Sequence, residues 1–216
     1  MPDPCPLCGG ASSALLEDAK SGWRYAACGV CELAFRTDPP LPPDEERRRY
    51  ALHENRPDDG YRRFLEPAAA AVAARCAPGA EGLDYGCGPG PVLALMLGER
   101  GFKTALYDPH FAPSPLALAR RYDFVTCTEA AEHFEEPAKE FETLDALLAP
   151  AGWLALMTRL RDGEDFARWH YRQDPTHRRF YCEATLRWLA RRHGWRLERP
   201  APHLALFRRD AVVASL

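Results

Sequence analysis

The sequence predicts an α/β protein built on a doubly wound sheet and preceded by a small cysteine-held module, and two observations carry that prediction. The first is the segment Leu83-Asp84-Tyr85-Gly86-Cys87-Gly88-Pro89-Gly90, followed eighteen residues after Gly90 by Asp108 at the end of an apolar run. The second is a pair of Cys-x-x-Cys knuckles, Cys5/Cys8 and Cys28/Cys31, with nineteen residues between them. A chain of 216 residues, 46% of them apolar, can bury one α/β core and one small module.

At the N-terminus, the knuckles supply four thiolates at the spacing of a closed tetrahedral zinc site, with Gly9 and Gly29 easing the turns. Four protein ligands leave no vacant position, so the zinc is structural. No secretory signal or membrane-length apolar run precedes the knuckles, which favours thiolates over disulfides and a cytoplasmic setting. A module of residues 1–38 has too little core to fold without its metal. Trp23, Tyr25, Leu33 and Phe35 alternate as in short hairpin strands. Cys76, Cys87, Cys127 and Cys182 lack ligand spacing and read as buried thiols. Residues 39–66 open with Pro39, Pro40, Pro42 and Pro43 and read as a linker and an N-terminal helix.

The glycine segment reads as a strand ending in a tight turn free of side chains, where the backbone can approach a ligand and the next helix can point its N-terminus at it. Residues 91–100 form that helix, with Val92, Leu95 and Met96 inward and Glu99 and Arg100 outward, and Gly101 stops it. Residues 103–107 read as a second buried strand, and an acid at its C-terminal end, Asp108, sits where it can accept hydrogen bonds from ribose hydroxyls.

A dinucleotide fingerprint would read Gly-x-Gly-x-x-Gly. Here Asp84 precedes Gly86-x-Gly88-x-Gly90, which resembles motif I of the class I S-adenosylmethionine (SAM) methyltransferases. The resemblance implies that Gly86, Gly88 and Gly90 line the cofactor, that Asp108 binds its ribose, and that Asp84 orients the loop or the cofactor's amino group. It also implies that residues 39–66 fold over the cofactor, with Tyr50, His53, Asn55 and Tyr61 candidates to touch cofactor or acceptor, and that residues 67–216 form the SAM-binding domain.

The remaining elements keep the family's order. Residues 123–128 read as a strand, and residues 129–134 leave it with Glu129 and His133 on one helical face. Phe141, Leu144, Leu147 and Leu148 recur at helical spacing, and Pro150-Ala151-Gly152 breaks the chain before a strand at residues 153–158. A helix at residues 183–193 ends at Gly194, and residues 195–198 and 204–208 read as a closing antiparallel pair. Only fourteen residues separate Asp108 from Asp123, too few for a crossover helix, a strand and a return helix. The expected fold is therefore a Rossmann-like class I methyltransferase sheet lacking one strand, preceded by a zinc ribbon.

The segment from Phe166 to Tyr181 carries Trp169, His170, Tyr171, Asp174, His177 and Tyr181, more chemistry than a connection needs. Where the acceptor must lose a proton, His133, His170 and His177 are the candidate bases, with Glu129 as a hydrogen-bonding partner. Glu129, His133, His170, Asp174 and His177 also form a set from which a divalent cation can be bound. The sequence is acidic overall, with net charge −3, yet its C-terminal third holds thirteen arginines against six acids between Arg159 and Arg209. Three readings stand at this point: methylation of a small-molecule acceptor, methylation of structured RNA, and a non-catalytic SAM-binding scaffold. The ribbon's Lys20, Arg24 and Arg36 are few for RNA capture, and nothing suggests a membrane partner.

Overall fold

The computed structural model describes residues 3–52 and 56–210; His53 and Asn55 lie outside the described residues. At the N-terminus, β1 (Ser12–Glu17), β2 (Arg24–Cys28) and β3 (Ala34–Arg36) form an antiparallel sheet. Two helices follow, α1 (Pro43–Ala51) and α2 (Asp59–Ala73), the second capped by the Asp58 side chain, which accepts a hydrogen bond from the Tyr61 N–H.

The main sheet begins with β4 (Glu81–Tyr85), α3 (Val92–Glu99) and β5 (Lys103–Tyr107). It continues with β6 (Tyr122–Thr128), α4 (Pro137–Leu147) and β7 (Leu148–Met157). A two-residue strand, β8 (Arg179–Phe180), then leads into α5 (Glu183–His193), β9 (Trp195–Ala201) and β10 (Leu204–Arg209). The strand order is β5-β4-β6-β7-β10-β9, with the first four parallel and the last two antiparallel. Between Asp108 and Asp123 the chain makes one 3-10 turn, Ala117–Ala119, and no strand, as its length dictates.

Gly82 decides how closely β4 and β6 pack: a Cβ there would fall 2.0 Å from the ring of its cross-strand partner Phe124. One face of the sheet is covered by α2 and α3, through Leu65, Ala68, Val72, Leu93, Met96 and Leu97. The other is covered by α4 and α5, and there Phe141, Leu144 and Leu189 share one continuous core with Cys5, Leu7, Leu33 and Phe35 of the N-terminal sheet. That sheet is extended by β8, which pairs with β3 through Ala34↔Phe180 and Phe35↔Arg179.

Four local expectations change. Leu95 is exposed, because α3 turns Val92, Leu93, Met96 and Leu97 inward. Residues 129–134 are not an α-helix: Glu129 adopts φ +49° and a 3-10 turn follows at Ala131–His133. Pro150 and Gly152 lie within β7, at a bulge where Ala151 takes φ +64°, because Leu148 already pairs with Tyr122. In the second knuckle the left-handed residue is Glu32 (φ +58°), not Gly29; it occupies the place that Gly9 (φ +71°) holds in the first.

Candidate active site

A cavity of about 510 Å³ opens at the C-terminal ends of β4, β5 and β6, within the range of small-molecule sites. The glycine loop forms one wall. Gly86 (φ +74°) and Gly88 (φ +63°) occupy the left-handed region, and a Cβ on Gly86 would come 2.7 Å from the Ala130 Cβ. Gly90 lines the cavity but does not adopt a positive φ.

Asp108 is buried at the end of β5 and binds protein backbone: Oδ2 accepts from the Gly88 N–H (3.0 Å), and Oδ1 from those of His110 (2.8 Å) and Phe111 (3.0 Å). Three of about four lone-pair positions are thus taken, so this carboxylate clamps the glycine loop, a role the sequence reading did not give it. Asp84 is also buried and accepts from the Thr126 hydroxyl at 2.8 Å. Burial pushes its carboxyl up to about 6, against the Thr126 hydrogen bond and with help from the nearby Asp108 charge.

The far end of the cavity is polar. Glu129 lines it, its carboxyl pushed up to about 9 by burial and by the neighbouring Glu132. His133 and His177 lie with ring centroids 4.8 Å apart. The Nδ1–H of His133 donates to the Thr176 carbonyl (3.1 Å), and that of His177 to the Tyr171 carbonyl (2.7 Å), so in the neutral ring the lone pair of each is on Nε2. Burial holds His133 down at about 4, so its imidazole is neutral. Tyr50 of α1 packs edge-on against His133 and donates to Glu46 at 2.9 Å, and Tyr61, Phe64 and Leu65 of α2 complete the lining.

His170, the third histidine expected here, is exposed and does not line the cavity: it starts a 3-10 turn, His170–Gln173, whose buried side chains are Tyr171 and Arg172. Sequence reasoning missed Glu132. It is fully buried, its Oε1 accepting from the Tyr171 hydroxyl (2.6 Å) and its Oε2 from the Thr158 hydroxyl (2.9 Å). Its position beside His133, three residues after Glu129, was the available signal, but one acid among Glu129, Glu132, Glu135 and Glu136 carries no mark of burial in sequence.

The four knuckle cysteines also converge. One sulfur from each lies within 4.8 Å of the others, with Cys5–Cys31 at 3.6 Å and Cys8–Cys28 at 3.3 Å. The N–H groups of Gly10 and Val30 each point at a knuckle sulfur, Cys8 and Cys28, at 3.3 Å, as donors to a thiolate do. Bonds of about 2.3 Å from a tetrahedral zinc put sulfurs about 3.8 Å apart, so the donor set fits that ion.

The module reaches the cavity through the backbone. The Arg36 N–H of β3 donates to the Arg178 carbonyl, and the Arg178 N–H donates to the Glu132 carbonyl (2.8 Å). Asp18 pairs with the buried Arg172 at 2.6 Å, and the Tyr25 hydroxyl donates to the Arg172 carbonyl at 3.0 Å. The segment bearing His177 is therefore held between ribbon and sheet. Nine of the thirteen arginines between Arg159 and Arg209 have a carboxylate within 4 Å, so this basic third is largely neutralised internally. Among the described residues no helix is long and apolar enough to cross a membrane.

Comparison with known proteins agrees with this geometry. A family model described as a methyltransferase domain matches residues 52–199. The ubiquinone biosynthesis O-methyltransferase of Leptothrix cholodnii is 32% identical over 108 residues, a match covering 39% of this chain and 46% of that one; the chain thus spans about half the length of this relative. Among solved structures, the Burkholderia thailandensis 1,6-didemethyltoxoflavin-N1-methyltransferase, with 1,6-didemethyltoxoflavin and S-adenosylhomocysteine bound, superposes with a TM-score of 0.54 at 17% identity, covering 92% of this chain and 99% of that one. An O-methyltransferase family protein from the same organism gives 0.52 at 15% identity, covering 76% of this chain and 62% of that one. The matched family, over most of the chain, together with a glycine-walled cavity at the strand ends, makes this chain a member of the methyltransferase-domain family.

Proposed function

We propose that the protein methylates an oxygen- or nitrogen-bearing small molecule that sits at the histidine end of the cavity, facing the cofactor at the glycine end. The observation that carries this reading is the cavity itself: one continuous space with a side-chain-free wall at Gly86 and Gly88 and two Nε2 lone pairs at the opposite end. In this assignment Gly86, Gly88 and Gly90 lie against the cofactor, Asp84 faces its cationic end, and Asp108 fixes the loop and offers its remaining lone pair to the ribose. Bound there, the cofactor supplies an electrophilic methyl group on a sulfonium.

The protein's part is placement and proton handling. Tyr61, Phe64 and Tyr50, from residues 39–66, cover the cavity and exclude water. His133 and His177, their Nδ1–H groups committed to carbonyls, turn lone pairs toward the acceptor's N–H or O–H and favour its deprotonated form. The acceptor atom then bonds to the methyl carbon as the carbon–sulfur bond breaks. Cys5, Cys8, Cys28 and Cys31 hold a structural zinc whose ribbon braces the His177 segment. The internal pairing of the arginines favours a small acceptor over RNA. A turnover screen of hydroxylated and N-heterocyclic small molecules alongside structured RNA tests the reading; methylation of RNA alone would overturn it.

A further inference from the structure

We propose that Glu132, His133 and His177 form a second metal site, distinct from the cysteine cluster, that binds one divalent cation at the acceptor end of the cavity. One ligand atom from each residue lies within 4.8 Å of those of the other two, and Glu132 Oε1 is 4.0 Å from His133 Nε2. Bonds of about 2.1 Å would bring such atoms about 3.0–3.4 Å apart, so closing on a cation needs side-chain shifts of about 1 Å.

The surroundings are those of a ligand set rather than of a packed core. Both histidines spend Nδ1–H on a backbone carbonyl, the outer-shell arrangement that fixes the tautomer and presents Nε2 to a metal. Both Glu132 oxygens are held by hydroxyl donors, Tyr171 and Thr158, which orient a carboxylate without neutralising it. Among the described residues, the only chargeable base within 4 Å of this fully buried acid is His133. A buried carboxylate without a cation is costly, and a divalent ion supplies the missing charge.

Two imidazoles and one carboxylate suit the borderline divalent metals, such as zinc, iron(II) or cobalt(II), over magnesium or calcium. Three protein ligands leave open positions on a cation, and all three residues line the cavity. The inference rests on the function proposed above and replaces one step of it: the two Nε2 lone pairs act on the acceptor through the cation instead of directly, which narrows the acceptor to a hydroxyl, or two adjacent oxygens, bound to the cation and made more acidic by it. The hydroxyl proton leaves to solvent, the oxygen takes the methyl carbon, and the carbon–sulfur electron pair stays on sulfur; no electron is exchanged with the metal.

The test is a cobalt(II) titration of protein carrying a single equivalent of zinc, held by the four cysteines, followed by visible absorption, with SAM titrated calorimetrically into the same samples. Wild type should take up one equivalent of cobalt with the weak bands of nitrogen and oxygen ligation, not the intense charge-transfer bands of thiolates. Glu132→Gln and His177→Ala should abolish that uptake while keeping ribbon zinc and SAM binding, His170→Ala should bind as wild type, and Tyr171→Phe should bind about 10–100-fold more weakly. Wild type that binds SAM but no cobalt beyond the ribbon, or equal uptake by all variants, would overturn the metal site and leave the methyltransferase reading intact. Cobalt uptake without SAM binding would do the reverse.

Discussion

Replacing Asp84 with asparagine should make the ligand-free protein more stable and the cofactor complex weaker. Asp84 is 2% exposed, and its carboxyl is raised from 3.8 to about 6, chiefly by burial. Because the folded value lies above the unfolded one, the folded state binds more protons between them. Stability therefore falls as pH rises from 3.8 to about 6 and is flat above. At about 1.36 kcal/mol per pH unit, the ionised form costs about 3 kcal/mol near neutrality, of which about 2 kcal/mol builds up between pH 4.5 and 7.5. The asparagine side chain would carry no such cost and keeps a carbonyl to accept from Thr126. Urea denaturation of both proteins across that pH range, read as the difference in unfolding free energy, should show Asp84→Asn gaining about 2 kcal/mol on wild type as pH rises. Calorimetry with SAM should show the opposite preference, since the ionised carboxylate faces the cavity. A pH-independent difference, or one that grows toward acid, would refute the assignment of a desolvated carboxylate held for a cationic ligand.

Three further outcomes follow from the geometry. Gly86→Ala combines a left-handed φ of +74° with a 2.7 Å approach to Ala130; it should lose at least about 1–2 kcal/mol in thermal or urea unfolding and bind SAM poorly. His177→Ala should lower kcat by about 10²–10⁴-fold with SAM affinity retained, whereas the exposed His170→Ala should leave kcat unchanged. Cys28→Ser should release the zinc and, through the β3–β8 pairing and the Arg36–Arg178–Glu132 backbone chain, cost turnover far more than SAM affinity; zinc content, kcat and calorimetric Kd measured on one preparation check this.

The glycine turn, the acid after β5 and the cysteine knuckles were legible in sequence because each is local: a fixed spacing prescribes a turn, a strand end or a four-sulfur cluster. The missing strand was legible for the same reason, since fourteen residues set an upper bound on what they can form. What escaped depends on contacts between distant segments. Glu132 is buried only because Tyr171 and Thr158 arrive from elsewhere to satisfy it. His170 and His177 look alike in sequence, but His170 is exposed at the start of a 3-10 turn, while the turn that follows from Asp174 brings His177 to the cavity. The ribbon, expected as a module on its own, shares a sheet with β8, whose two residues carry no strand signal of their own. Asp108 was read as a ligand group, and nothing in its spacing shows that three backbone amides already occupy it.

Whether the glycine loop holds the cofactor is decided by calorimetric titration of zinc-loaded protein with SAM and with S-adenosylhomocysteine, in wild type and Asp108→Asn. Wild type should show one site per chain for both ligands, with affinity sharply reduced in the variant because the carboxylate that clamps the Gly88 N–H is gone. Folded wild-type protein that binds neither ligand, or Asp108→Asn that binds both as wild type does, would contradict the placement of the cofactor on the glycine loop.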